Sequence, residues 1–145
     1  MNKMTFDRIL VAVDGSKEAQ KAFHYAINLA RDKGCPLSIA SVFEAGQLNV
    51  YEALDPKELQ GKRQAFLDQV AGYRAQAEAA GLPEIQCLVA EGGDPAKVII
   101  KDLLPTSQAD LLIIGSHGDA QLSDYFGSHA TYLVKHAPIP VLVYR

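Results

Sequence analysis

The chain has 145 residues, 48% of them hydrophobic and 21% charged, with a formal net charge of −3. That length suits one domain spanning residues 1–145 with a sizeable core, and the composition excludes intrinsic disorder. The basic residues are scattered, which excludes an electrostatic footprint for nucleic acid, and apolar runs such as Leu111 to Ile114 and Val141 to Tyr144 are far shorter than the ~20 residues that span a bilayer. The first residues, Met-Asn-Lys-Met-Thr-Phe-Asp-Arg, have no apolar stretch and no small-residue cleavage site, so no secretory signal is expected and a cytoplasmic location is. Cys35 and Cys87 follow no Cys-x-x-Cys spacing and adjoin strand-like segments, and they read as buried reduced thiols.

In chain order, Ile9 to Val13 is a continuous apolar run of the kind found in a strand covered on both faces. It stops at Asp14-Gly15-Ser16. Ala19, Ala22, Phe23, Ala26, Ile27 and Ala30 then share one helical face, and Gly34 ends the pattern. Leu37 to Phe43 is a second strand, and Glu44 to Asp55 a long polar loop in which Tyr51 can stack on a base or simply anchor the chain. Leu59, Arg63, Phe66, Val70, Tyr73 and Ala77 recur at helical spacing and mark a second helix that closes at Gly81-Leu82-Pro83. Ile85 to Ala90 is a third strand. Asp94-Pro95 pairs an N-cap with a proline at the first helical position and starts a third helix buried through Val98, Ile99, Leu103 and Leu104. Ala109 to Ile114 is a fourth strand, Ser128 to His136 a fourth helix, and Val141 to Tyr144, after Pro138 and Pro140, the last strand.

Strands and helices alternate throughout, which predicts an α/β fold: a single-domain open five-stranded parallel sheet with helices on both faces, Rossmann-like. Ligands of such sheets bind beyond the carboxyl ends of the strands, where strand order reverses. The loops at Asp14, Phe43, Glu91 and Gly115 leave those ends.

The most chemically informative stretch follows the fourth strand: Gly115-Ser116-His117-Gly118, then Gly127-Ser128-His129 at the start of a helix. Glycines there let bare amides approach a ligand, and helix-start amides point at an anion. Equally, Gly115 and Gly118 can serve only to shape a tight turn, with Ser128 as a helix cap. Asp14, at the mouth of the expected cleft, can accept from a ribose hydroxyl, help hold a divalent cation, or satisfy amides of the turn into the first helix. His117 and His129 flank the loop at a spacing that matches no zinc motif.

Strand-Asp-Gly-Ser near the N-terminus, Ile-Ile-Gly-Ser-His-Gly after the fourth strand, Gly-Ser opening the last helix and the ending Ala-Pro-Ile-Pro-Val-Leu-Val together resemble the universal stress protein family over essentially the whole chain. The resemblance implies a five-stranded parallel fold that often dimerises and, in one branch, binds ATP through Gly-x2-Gly-x9-Gly-[Ser/Thr]. Carried onto this sequence, it implies a cofactor-binding set of Ala12, Val13, Asp14, Val42, Gly115, Ser116, His117, Gly118, Gly127, Ser128 and His129. Ala12 and Val42 match positions lining the adenine. Here only eight residues, Asp119 to Phe126, separate Gly118 from Gly127, and Asp119 and Asp124 lie among them.

The function expected is an ATP-binding regulatory module, with Mg²⁺ accompanying the nucleotide. The alternatives are a nucleotide-free dimeric interaction module and a slow ATPase. No Walker A sequence and no paired base and nucleophile support catalysis. A homodimer is expected through the last strand, by way of Val141 and Val143, since an apolar edge strand is a template for pairing.

Overall fold

The computed structural model describes residues 6–44, 55–116 and 127–145. Five strands, β1 (Ile9–Ala12), β2 (Leu37–Phe43), β3 (Ile85–Glu91), β4 (Leu111–Gly115) and β5 (Val141–Tyr144), form one sheet in the order β3-β2-β1-β4-β5. Every pairing is parallel, with Ile9 between Leu37 and Leu111. Strand order reverses at β1, so a crevice opens between the carboxyl ends of β1 and β4. The expected architecture is the one observed.

Alternation along each strand divides the core in two. Ile9, Val11, Ile39 and Ile113 face helix α1 (Lys17–Lys33) and helix α2 (Pro56–Ala79), where Phe23 and Tyr73 meet edge to face with ring centroids 4.6 Å apart. Leu10, Ala40, Leu112 and Ile114 face the opposite layer, formed by a helical segment α3 (residues 95–107) and by helix α4 (Ser128–His136). The start of β4 is tied to the N-terminal side by Asp110, whose carboxylate accepts from the backbone amides of Asp7 and Arg8 at 2.9–3.1 Å.

Helix α1 matches its sequence pattern: all six apolar positions are buried, Ser16 Oγ caps it by accepting from Ala19 N at 3.1 Å, and Gly34 closes it at φ 66°. Helix α2 begins earlier than the apolar spacing indicates, because Asp55 caps it and Pro56 opens it. Its first half is largely exposed, and burial begins at Val70.

Segment α3 departs from a simple helix. It runs as Pro95–Val98, widens to a π-helical turn over Ile99–Leu103 and resumes as Leu104–Ser107. Leu104 N donates to Ile99 O, five residues back. The widening sits where Pro105 has no N–H to return to the carbonyl of Lys101, so the ladder cannot continue with α-helical spacing. Cys35 and Cys87 are both free thiols, Cys35 buried and Cys87 half-buried in β3. Burial, reinforced by the Asp110 carboxylate, pushes the Cys35 thiol above its usual range. No helix among the described residues is long and apolar enough to cross a membrane.

Candidate functional site

At the carboxyl end of β1 the chain is fixed by three hydrogen bonds to two other elements, β2 and α2. Val13 N donates to Ala40 O at 2.9 Å, Ser41 Oγ donates to Val13 O at 3.2 Å, and Tyr73 of α2 donates its hydroxyl to Asp14 O at 2.6 Å. Asp14 Oδ1 accepts from Ser16 N at 2.8 Å, the Asx-turn that leads into the N-cap of α1. The turn-holding reading of Asp14 is therefore realised, and the same residue also lines the crevice.

That crevice is a cavity of about 80 Å³ at the switch point. From the expected set, Ala12, Val13, Asp14, Val42, Gly115 and His129 line it. Ser116 is buried directly after β4. Gly127 and Ser128 open α4 beside the cavity without lining it, and Ser128 is exposed. His117 and Gly118, with Tyr51, Asp119 and Asp124, lie outside the described residues.

Gly127 N donates to Ser116 O at 2.9 Å, so the chain leaves β4 and re-enters α4 at one place. Gly127 is the N-cap of α4, at φ −64° and ψ 162°, and its carbonyl accepts from Thr131 N at 3.0 Å. Having no side chain, it leaves the first amides of α4 uncapped from within, next to the pocket that His129 and Ala130 line. An anion seated there meets N–H groups and the positive end of a helix dipole.

Gly115 has a role that a phosphate-loop reading does not supply. A Cβ on it would lie 2.8 Å from both the carbonyl carbon and oxygen of Glu18 and 3.1 Å from Ala19 N. The glycine lets β4 pass against the first turn of α1, which brings Asp14 and Gly115 to the same cavity.

Several lining residues have no counterpart in the expected set: Glu44 just after β2, Ala19 on α1, and Pro95, Ala96 and Ile99 on α3. The Asp94-Pro95 helix start, so close behind the third strand, was the available signal for the α3 wall. Glu91, expected near the site, lies elsewhere. It binds Arg63 at 2.7 Å and borders a second, apolar hollow of about 290 Å³ with Phe43, Phe66, Leu67, Val89 and Ala90. Among the described residues no cluster of three His, Cys, Asp or Glu side chains is placed to hold a metal ion on its own.

The sheet order, the all-parallel pairing and a cavity at the reversal of strand order define a doubly wound α/β domain with its cleft at the switch point. The chain belongs to the universal stress protein family, whose model matches residues 5–145. Over 143 residues it is 32% identical to a universal stress protein of Staphylococcus aureus strain USA300, a match covering 98% of this chain and 86% of that relative. The structure is similar to universal stress protein UspA from Lactobacillus plantarum, with a TM-score of 0.82, 26% identity, and coverage of 99% of this chain and 100% of the other. It shares its fold with the universal stress protein from Archaeoglobus fulgidus in complex with dAMP, with a TM-score of 0.68, 21% identity, and coverage of 98% and 100%.

Proposed function

We propose that this protein binds an adenine nucleotide, ATP accompanied by Mg²⁺, in the switch-point cleft and works as a regulatory module whose bound and free forms differ in their affinity for partners. One observation carries the reading: apolar lining from Ala12, Val42, Ala96 and Ile99 adjoins the N-terminus of α4, whose N-cap Gly127 has no side chain to cover the first amides. A flat base suits the first and a phosphate chain the second. Asp14 and Glu44 line the same cavity and can accept from ribose hydroxyls. One or two carboxylates together with phosphate oxygens form the usual environment of Mg²⁺, so the donor set fits a cation that arrives with the nucleotide. The dAMP complex of the Archaeoglobus relative points to the same ligand class.

The module is read as a homodimer paired through β5, a half-exposed edge strand bearing Val141 and Val143. The second reading, a nucleotide-free dimeric interaction module, is favoured by the cavity volume of about 80 Å³, well below the ~300–1,000 Å³ of typical small-molecule sites.

Thermal unfolding with ATP and Mg²⁺, together with native mass spectrometry of the purified protein, tests the choice. Ligand at ~100 times its dissociation constant adds about 2.7 kcal/mol of stability. A melting curve unmoved by millimolar ATP, with no co-purified nucleotide in the dimer mass, leaves the second reading standing.

A further inference from the structure

We propose that the apolar hollow between α2 and the β3 edge of the sheet is a second binding site, for a free single-chain amphiphile with an anionic head. It is independent of the nucleotide reading. Successive residues of a strand face opposite ways, so Val42 lines the switch-point cleft while Phe43 lines the hollow. The two cavities lie back to back across the end of β2 and share no lining residue among those described.

The hollow exists because α2 overhangs the sheet. Its later turns enter the core through Val70, Tyr73 and Ala77, whereas its earlier turns meet β2 and β3 through a Phe43–Phe66 ring contact, with centroids 5.5 Å apart, and through the Arg63–Glu91 pair. Among the described residues the large apolar side chains that stand exposed are Leu67, Val89 and Val134, and the first two, at 48% and 46%, border this hollow. Apolar surface gathered at a concave place on a sheet edge marks a recognition site. The volume of about 290 Å³ is more than three times that of the cleft and sits at the lower bound, ~300 Å³, of typical small-molecule sites.

The rim sets the head group. Arg63 Nη2 donates to Glu91 Oε1 at 2.7 Å, and the guanidinium carbon lies 6.0 Å from the centre of the Phe43 ring. That pairing is one-pronged, while a guanidinium carries five N–H donors in a fork that fits a carboxylate two at a time. Glu91 and Phe43 thus hold the guanidinium over the hollow with donors left for a second anion. A cationic head meets a carboxylate whose partner is already in place and whose partner repels it. The other lining side chains, Phe66, Leu67, Val89 and Ala90, are hydrocarbon and suit a tail, each buried methylene of which raises affinity about fourfold.

Calorimetry with octanoate, octanol and octyltrimethylammonium, which share a tail and differ in head, tests the site on the wild type, Arg63→Gln, Arg63→Lys and Leu67→Glu. Octanoate should saturate a single site and bind about tenfold more tightly than either of the others, the margin of one hydrogen bond to a charged group. Arg63→Gln should bring octanoate down to the level of octanol and leave octanol unchanged, and Arg63→Lys should keep part of the preference. Leu67→Glu, at an exposed helical position that accepts a good helix former, should weaken octanoate and octanol alike, with melting curves showing that the fold is retained. Equal affinities for the three heads, a preference for the cation, octanoate binding untouched by the Arg63 and Leu67 substitutions, or no saturable binding of octanoate each overturns the proposal.

Discussion

Replacing Gly115 by Ala separates a glycine needed for packing from one needed only near a ligand. The added methyl would meet the Glu18 carbonyl group at 2.8 Å, where carbon atoms ordinarily rest at ~3.5–4.0 Å. Both partners are backbone, so no rotamer change relieves the overlap; β4 and the first turn of α1 must move apart. Overpacking of this kind costs ~1–3 kcal/mol, against which the lost freedom of glycine in the unfolded chain returns ~0.4–1 kcal/mol. A net loss of about 1–2 kcal/mol lowers the melting temperature by about 3–8 °C for a chain of this size. Gly72→Ala supplies the opposite sign: it lies on the exposed face of α2 with nothing within 4 Å of its missing Cβ, and the change should gain up to ~1 kcal/mol in helix propensity. Circular dichroism melts and urea midpoints read both variants. A Gly115→Ala protein as stable as the wild type, beside a Gly72→Ala protein shifted upward, would refute the close-approach argument.

Tyr73→Phe removes the 2.6 Å hydrogen bond to the Asp14 carbonyl while keeping the ring against Phe23, and should cost ~0.5–1.5 kcal/mol in urea denaturation with an unchanged m-value. The double variant Val141→Lys, Val143→Lys should give a folded monomer, because the charges oppose pairing of the β5 edge. Light scattering reads this directly; a monomeric wild type, or a dimer that survives the substitutions, counts against the β5 interface.

Sequence pattern was informative where burial follows local periodicity. In α1 the alanines and Phe23 sit at helical spacing and all of them are buried, while the apolar run of β1 is enclosed by sheet neighbours and by helices on both faces. Pattern was weaker where the chain projects. The first half of α2 buries little, so its apolar positions carried less signal than the Asp55-Pro56 cap. In α3 the signal was Pro105, whose missing donor disturbs the ladder without interrupting the apolar spacing that made one plain helix the expectation.

The cleft was legible as a place, from strand ends and the glycine-rich turn, but less so as a surface. Gly115 and Glu18 are far apart in sequence, and their backbone contact depends on the β1–β4 pairing. Glu44 and Ile99 reach the cavity for the same tertiary reason, whereas Ala12 and Val42 could be carried over position by position from the family pattern.

The hydrogen bond from Gly127 N to Ser116 O holds together the two ends that the ten intervening residues connect. The entropy of bringing the ends of a segment together grows only with the logarithm of its length, so an eleventh residue would cost about 0.1 kcal/mol. On closure entropy alone, a change of one residue in the length of this connection costs the fold little, so the strand and helix it joins keep their places while its length varies among lineages.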